Sequence, residues 1–178
     1  MKQLEGAGVK KRPEPTEQSL DELYRRPGFL LRRAHQISVA LFLEETANLG
    51  LTTTQYGTMV VLRAQGSLDQ VGIATLVGID RSTTALVVSK LEGAGYIERR
   101  DDEVDKRRKI ITLSTAGRAM LERVAQPAQR ARERALEAFP AKDAAKFLAL
   151  LERFVDVFNE KTRAPIRATA PDKQTRRK

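Results

Sequence analysis

From Pro27 the chain repeats apolar residues at helical spacing. Leu30, Ala34, Ile37 and Leu41 fall on one stripe. Phe29, Leu31, Val39, Ala40, Phe42 and Leu43 widen it, so a helix opening at Pro27 must touch more than one layer. In LTTTQYGTMVVL, Thr52 and Gln55 stand at capping-box spacing and predict a helix to about Ala64. Asp69 can cap a short helix from Gln70 to Val77, and Gly78-Ile79-Asp80 then makes a turn. RSTTALVVSKLEGAG predicts a second short helix, closed by Gly93 or Gly95. Tyr96 to Arg100 and Lys109 to Leu113 read as strands on either side of a densely charged loop. Ser114 can cap a long helix, with a bend expected near Pro127. A last helix covers about Lys142 to Lys161. Its stripe is Phe147, Leu151, Phe154 and Phe158, and Leu148, Leu150, Val155 and Val157 make it more apolar than a small monomer's surface helix.

Helix, tight turn, helix, strand, charged loop, strand is the order of a winged helix-turn-helix. The fold class expected is mainly α with a small β wing, together with a helical dimerisation region. The expected layout is a flexible arm over 1–18, N-terminal dimerisation helices over 19–50 and the winged domain over 51–114. C-terminal dimerisation helices over 115–162 and a basic, disordered tail over 163–178 complete it.

Charge sharpens this picture. The 178 residues carry a formal charge of +9, which suits nucleic acid, an anionic membrane or an acidic partner, or simply solubility. There is no cysteine, which excludes disulfides and thiolate metal sites, and the single histidine, His35, excludes a multi-histidine site within one chain. No metal or cofactor is expected. The N-terminus has no apolar h-region and no apolar run has spanning length, so a soluble, cytoplasmic protein without membrane contact is expected. A Walker A loop, a GxGxxG after a strand and a nucleophile elbow are all missing, which argues against an enzyme.

The second short helix has two distinct sides. Thr84, Val88 and Leu91 form its core side; Ser82, Leu86, Ser89 and Lys90 lie opposite, with Thr83 beside them. Small hydroxyls near a helix N-terminus permit close approach to DNA, and the terminus itself favours phosphate. An ordinary amphipathic helix shows the same pattern, so the wing is what tips the reading. Its tip, Asp105-Lys106-Arg107-Arg108, can reach a duplex beside the recognition helix, with an arginine in the minor groove and Asp105 holding that arginine. Asp101, Asp102 and Glu103 should then face away from phosphate or pair with Arg99 and Arg100.

GYIERRDDEVDKRRKIITLSTAGRAML resembles the wing and following helix of MarR-family transcription regulators. Asp105, Arg107, Leu113, Ser114 and Gly117 match the family's Asp-x-Arg, Leu-Ser and Gly pattern. The resemblance continues through IDRSTTALVVSKLEGAG and LTTTQYGTMVVL, covering about residues 28 to 160. Leu86 departs from it, standing where many members carry a polar or basic residue; it can instead meet a thymine methyl. The resemblance implies a homodimer of intertwined terminal helices on a double-stranded, pseudo-palindromic operator, acting as a repressor. It also implies a ligand pocket between the dimer helices and the winged domain. RRPGFLLRRAHQISVALFLEE is similar to members that control aromatic-acid catabolism, some of which sense aromatic acyl-CoA thioesters. That implies an aromatic acid or its CoA thioester as effector, with Arg32, Arg33, His35, Phe42, Tyr56 and Met59 as candidate contacts. The same residues also read as interface or core, and Arg25, Arg26, Arg32 and Arg33 as either CoA-phosphate ligands or a solvated face. A basic DNA-binding architectural or interaction dimer without a small-molecule switch is the alternative.

Overall fold

The computed structural model describes residues 20–103, 105, 106 and 108–167. Seven α-helices and three short strands follow one another among them. The order is α1 (Leu20–Arg25), α2 (Pro27–Glu45), α3 (Thr53–Gln65), β1 (Ser67–Leu68), α4 (Gln70–Val77), α5 (Arg81–Gly93), β2 (Ile97–Asp101), β3 (Lys109–Leu113), α6 (Thr115–Leu136) and α7 (Ala141–Phe158). A 3-10 turn, Asn159–Lys161, closes the last helix. The mainly helical winged helix-turn-helix expected from the pattern is therefore present. The arm expected over 1–18 lies outside the described residues.

The starts of the helices follow the caps read from the sequence. Thr52 and Gln55 form the full capping box: the Gln55 N–H donates to Thr52 Oγ1, and the Thr52 N–H donates to Gln55 Oε1. Asp69 accepts the Gly72 N–H at 2.7 Å, and Ser114 accepts the Gly117 N–H at 2.9 Å. Gly78, at φ +73, is the left-handed C-cap that lets α4 stop and α5 turn away by 110°. α6 continues through Pro127 as one helix, with Val124 and Ala131 buried on either side.

The chain divides between Gln36 and Ile37, inside α2, into two compact units. In the first, Tyr24 and Phe29 lie with ring centroids 5.1 Å apart, and the Arg32 guanidinium sits over the Phe29 ring at 4.8 Å. The second holds the core. Met59 and Leu62 of α3, Ile73 of α4, Val88 and Leu91 of α5, Ile111 of β3 and Leu121 and Val124 of α6 are nearly free of solvent. Period-2 alternation on β3 turns Ile111 and Leu113 into this core. The sheet is antiparallel in the order β1-β3-β2, with Arg99 opposite Ile111 and Ser67 opposite Thr112. β1 was not expected: two residues are too few to show a period, and pairing with β3 alone makes them a strand.

Two close approaches fix the winged unit. A Cβ on Gly117 would lie 2.0 Å from the Tyr96 carbonyl oxygen, so only glycine lets α6 start this close to β2. Ser114 then donates from Oγ to the Gly95 carbonyl at 2.6 Å and from its N–H to the Tyr96 carbonyl at 3.0 Å. On the far side Glu45, at the end of α2, receives Arg130 at 2.7 Å and Arg134 at 3.0 Å from α6. Arg130, then Arg134, hold the Glu45 carboxyl below the usual carboxylate range.

Candidate nucleic-acid interface

The recognition helix presents the two sides read from its sequence. Thr84, Val88 and Leu91 are buried, joined by Val87, while Ser82, Leu86, Ser89 and Lys90 are exposed and Thr83 is half-buried. Leu86 keeps 57 % of its surface open. Arg81, at the first position of the helix, is exposed on the same end and went unnoticed in the sequence pattern.

The N-terminus of this helix holds a surprise. Asp80 accepts hydrogen bonds from Ser82 Oγ, from the Thr83 N–H at 2.9 Å and from Thr83 Oγ1 at 2.8 Å. Those bonds, Ser82 first, hold its carboxyl far below the ordinary carboxylate range. A phosphate expected at this terminus therefore meets a carboxylate already there. The hydroxyls of Ser82 and Thr83 are committed as donors to it.

The wing is fastened to the helix-turn-helix at its base. Arg108 Nη2 donates to Asp69 Oδ2 at 2.6 Å, while the other oxygen of Asp69 caps α4. One carboxylate thereby sets both the start of α4 and the angle of the hairpin. The bond from Asp69, with the negative charges of Asp69, Asp102 and Asp105, raises the Arg108 pKa further above its ordinary value. Its Nε–H is buried and meets no acceptor. Arg108, one of the candidate DNA contacts, also ties the hairpin to the helix-turn-helix. The loop closes by Asp102 N–H to the Arg108 carbonyl at 3.0 Å and Arg108 N–H to the Asp105 carbonyl at 2.8 Å. Lys106 and Asp105 are exposed at the tip, and Arg107 lies outside the described residues. The acidic residues pair otherwise than expected: Asp101 takes Lys109 across the hairpin, and Arg99 reaches back to Glu92 of α5 at 2.9 Å. Cross-strand and helix-to-strand neighbours outcompete sequence neighbours, because adjacent strand residues point to opposite faces.

The candidate ligand residues fall in both units. Arg32, Arg33 and His35 are exposed, and both arginines donate to Gln36 Oε1, at 3.1 and 3.0 Å. Phe42 is buried with its ring 5.4 Å from that of half-buried Tyr56. Met59 is wholly enclosed, so a ligand would reach it only by opening the core. A cavity of about 500 Å³ lies elsewhere, between the α4–α5 turn and the end of α7. Ile79, Phe154, Phe158 and Ile166 line it, with Asp80 and Arg163, and none of the six candidates does. No single helix among the described residues is long and apolar enough to cross a membrane.

Comparison with known proteins places this geometry. The MarR family model matches residues 51–109, from the start of α3 through the wing. The structure of CouR, a transcriptional repressor bound to a 23-mer DNA duplex, superposes with a TM-score of 0.71. It is 30% identical and covers 79% of this chain and 99% of that one. The chain belongs to the MarR family. Members are transcriptional regulators, not enzymes; they bind operator DNA and act as dimers. The HTH-type transcriptional repressor NicR of Pseudomonas putida is 26% identical over 152 residues, 83% of this chain and 96% of its own length. Bordetella bronchiseptica BpsR, whose DNA binding is regulated by 6-hydroxynicotinic acid, is 27% identical with a TM-score of 0.71, covering 75% of this chain and 95% of that one.

Proposed function

We propose that this MarR-family chain is a homodimeric repressor of a pseudo-palindromic operator, released by an aromatic carboxylic acid or that acid's CoA thioester. The observation that carries the reading is the outer face of α5, where Leu86, Ser89 and Lys90 are exposed beside a wing pinned through Arg108 and Asp69. Such a helix suits the major groove, with Leu86 against a thymine methyl and Lys90 on phosphate. Two-fold pairing supports half-sites about one helical turn, roughly 34 Å, apart.

Support for the dimer comes from α7, which buries none of its own residues. Phe147, Leu151, Phe154, Val155, Val157 and Phe158 stay between 37 and 63 % exposed. Side chains of that size leave several hundred Å² of apolar surface on one helix, on the order of the largest patch a monomer tolerates. A second copy covers it.

Support for the effector comes from BpsR, whose named regulator is an aromatic ring bearing a carboxylate. The cavity at the α4–α5 turn offers an apolar wall and the cation Arg163 to such an acid, with Asp80 as the opposing charge in its lining. Bound there, an acid acts only through its different affinity for the DNA-bound and free forms, so acid and operator must weaken each other equally. The experiment is titration of aromatic acids and their CoA thioesters against the protein–operator complex, with calorimetry on the free protein. Release by an acid, lost in Arg163→Gln, supports the cavity; loss in Arg32→Gln instead supports the α2 contacts. Thioesters that bind no better than CoA alone remove the acyl-CoA half. If no acid or thioester alters operator affinity, the switch is wrong.

A further inference from the structure

The sequence pattern predicts a disordered tail from residue 163, but residues 162–167 form an ordered strap that folds back from the end of α7 onto the helix-turn-helix. Asn159 holds it at both ends. Its main-chain carbonyl accepts the Thr162 N–H at 3.2 Å and Thr162 Oγ1 at 2.9 Å. Its side-chain amide pairs with the backbone of Ile166: Nδ2 donates to the carbonyl at 2.8 Å and Oδ1 accepts the N–H at 2.9 Å. Pro165, with a fixed φ and no N–H, limits how the segment between can bend.

The strap's other face meets the helix-turn-helix. Gly78 and Ile79 both donate to the Ala74 carbonyl at the end of α4, and the Thr75 carbonyl beside it accepts the Arg167 N–H at 3.2 Å. Ile166 lies so close to the α4–α5 turn that a Cβ on Gly78 would come within 2.6 Å of its Cγ1. Ile79 alone separates Gly78 from Asp80, the N-cap of the recognition helix. The route from the end of α7 to that helix is therefore short: Asn159, Ile166, Gly78, Asp80. α7 buries none of its own side chains, and the cavity lies between its end and the turn. Direct packing leaves that junction open, and the strap spans it.

We propose that Asn159 and Ile166 are positioning residues for DNA recognition: the strap they hold fixes the recognition helix relative to α7 and so sets the half-site separation the dimer accepts. The inference rests on the reading of this chain as a dimeric operator-binding protein. In a dimer joined through α7, each recognition helix stands where its own link to α7 puts it. One base pair inserted between half-sites moves them apart by about 3.4 Å and turns one against the other by roughly 35°. A stiff link rejects that change, and a slack one follows it. If loss of the link leaves each recognition helix in place about a third of the time, the two together lower operator affinity roughly tenfold.

The test lets the full chain select duplexes from a randomised pool, as wild type, Asn159→Ala, Ile166→Ala and Ile166→Val. Half-site sequence and separation are read from the recovered duplexes, affinity from anisotropy, and helicity and dimer from circular dichroism and sedimentation. Ile166 keeps 48 % of its surface open and lies outside the core, so Ile166→Ala should fold and decides the matter if Asn159→Ala does not. Wild type and Ile166→Val should recover a single separation. The two alanine variants should recover the same half-sites at separations one base pair longer and shorter as well, and bind the wild-type duplex about tenfold more weakly. A role in stability alone would weaken binding without widening the separations. A single separation kept by the folded alanine variants, whatever their affinity, overturns the proposal. If wild type recovers no recurring half-sites, the operator reading fails and this inference falls with it.

Discussion

Cutting the tie between Asp69 and Arg108 tests whether the wing is held where the recognition helix needs it. Asp69→Asn keeps an oxygen to cap α4, since asparagine caps as well as aspartate, but removes the charge that Arg108 meets. Arg108→Gln removes the other partner. A unit pair at about 4 Å is worth roughly 4 kcal/mol at a surface-like effective dielectric of about 20. The carboxylate here is 17 % exposed and the guanidinium 35 %, so solvent screens much of that. The coupling expected is about 1–2 kcal/mol, above an exposed pair and well below a fully buried one. Urea unfolding of wild type, both single variants and the double variant, at one protomer concentration, isolates it. The single variants should also bind operator about tenfold more weakly, because the hairpin loses its angle to α5. A coupling below about 0.3 kcal/mol, with all four proteins folded, would refute the reasoning.

Gly117→Ala should destabilise the winged unit by about 2–3 kcal/mol in urea or thermal unfolding, because its Cβ meets the Tyr96 carbonyl at 2.0 Å; a change under 0.5 kcal/mol would contradict this. Glu45, its pKa depressed by Arg130 and then Arg134, contributes stability that is complete above the unfolded carboxylate pKa of about 4.3. That contribution disappears as pH falls through the lower folded pKa, so Glu45→Gln should flatten the fall of melting temperature below about pH 4.3. Leu150 and Val157 keep 58 and 63 % of their surface open, so replacing both by Glu should cost an isolated chain little. In sedimentation the wild type should be a dimer at micromolar concentration and the double variant a monomer. An unchanged dimer in that variant would remove α7 from the interface.

Much of the winged domain was legible because its signals are local. Thr52 with Gln55, Asp69 and Ser114 each sit within three residues of the N–H they cap, and spacing alone shows such pairs. The alternation on β3 and the buried side of α5 are equally short in range. What stayed hidden depends on distant residues. Arg108 finds Asp69 across 39 positions, and Arg130 finds Glu45 across 85, so no window along the chain contains both partners. Arg108 therefore read as one more free cation at the wing tip. α1, six residues long with no buried side chain, carries no apolar stripe to announce it. Residues 162–167 hid for the opposite reason: their composition resembles a solvated tail, and what holds them is the amide of Asn159 on Ile166, the Thr75 carbonyl and the close approach to Gly78. Gly117 was visible as part of a pattern, but the carbonyl that demands a glycine there belongs to Tyr96.

The central claim is that α5 and the wing read one DNA sequence. Fluorescence anisotropy with a labelled duplex from upstream of the chain's own gene tests it most directly, competed by the same duplex unlabelled or by random DNA at fixed salt. The account predicts displacement by the specific duplex at a concentration at least about a thousandfold lower than random DNA requires. Equal displacement by both would contradict it.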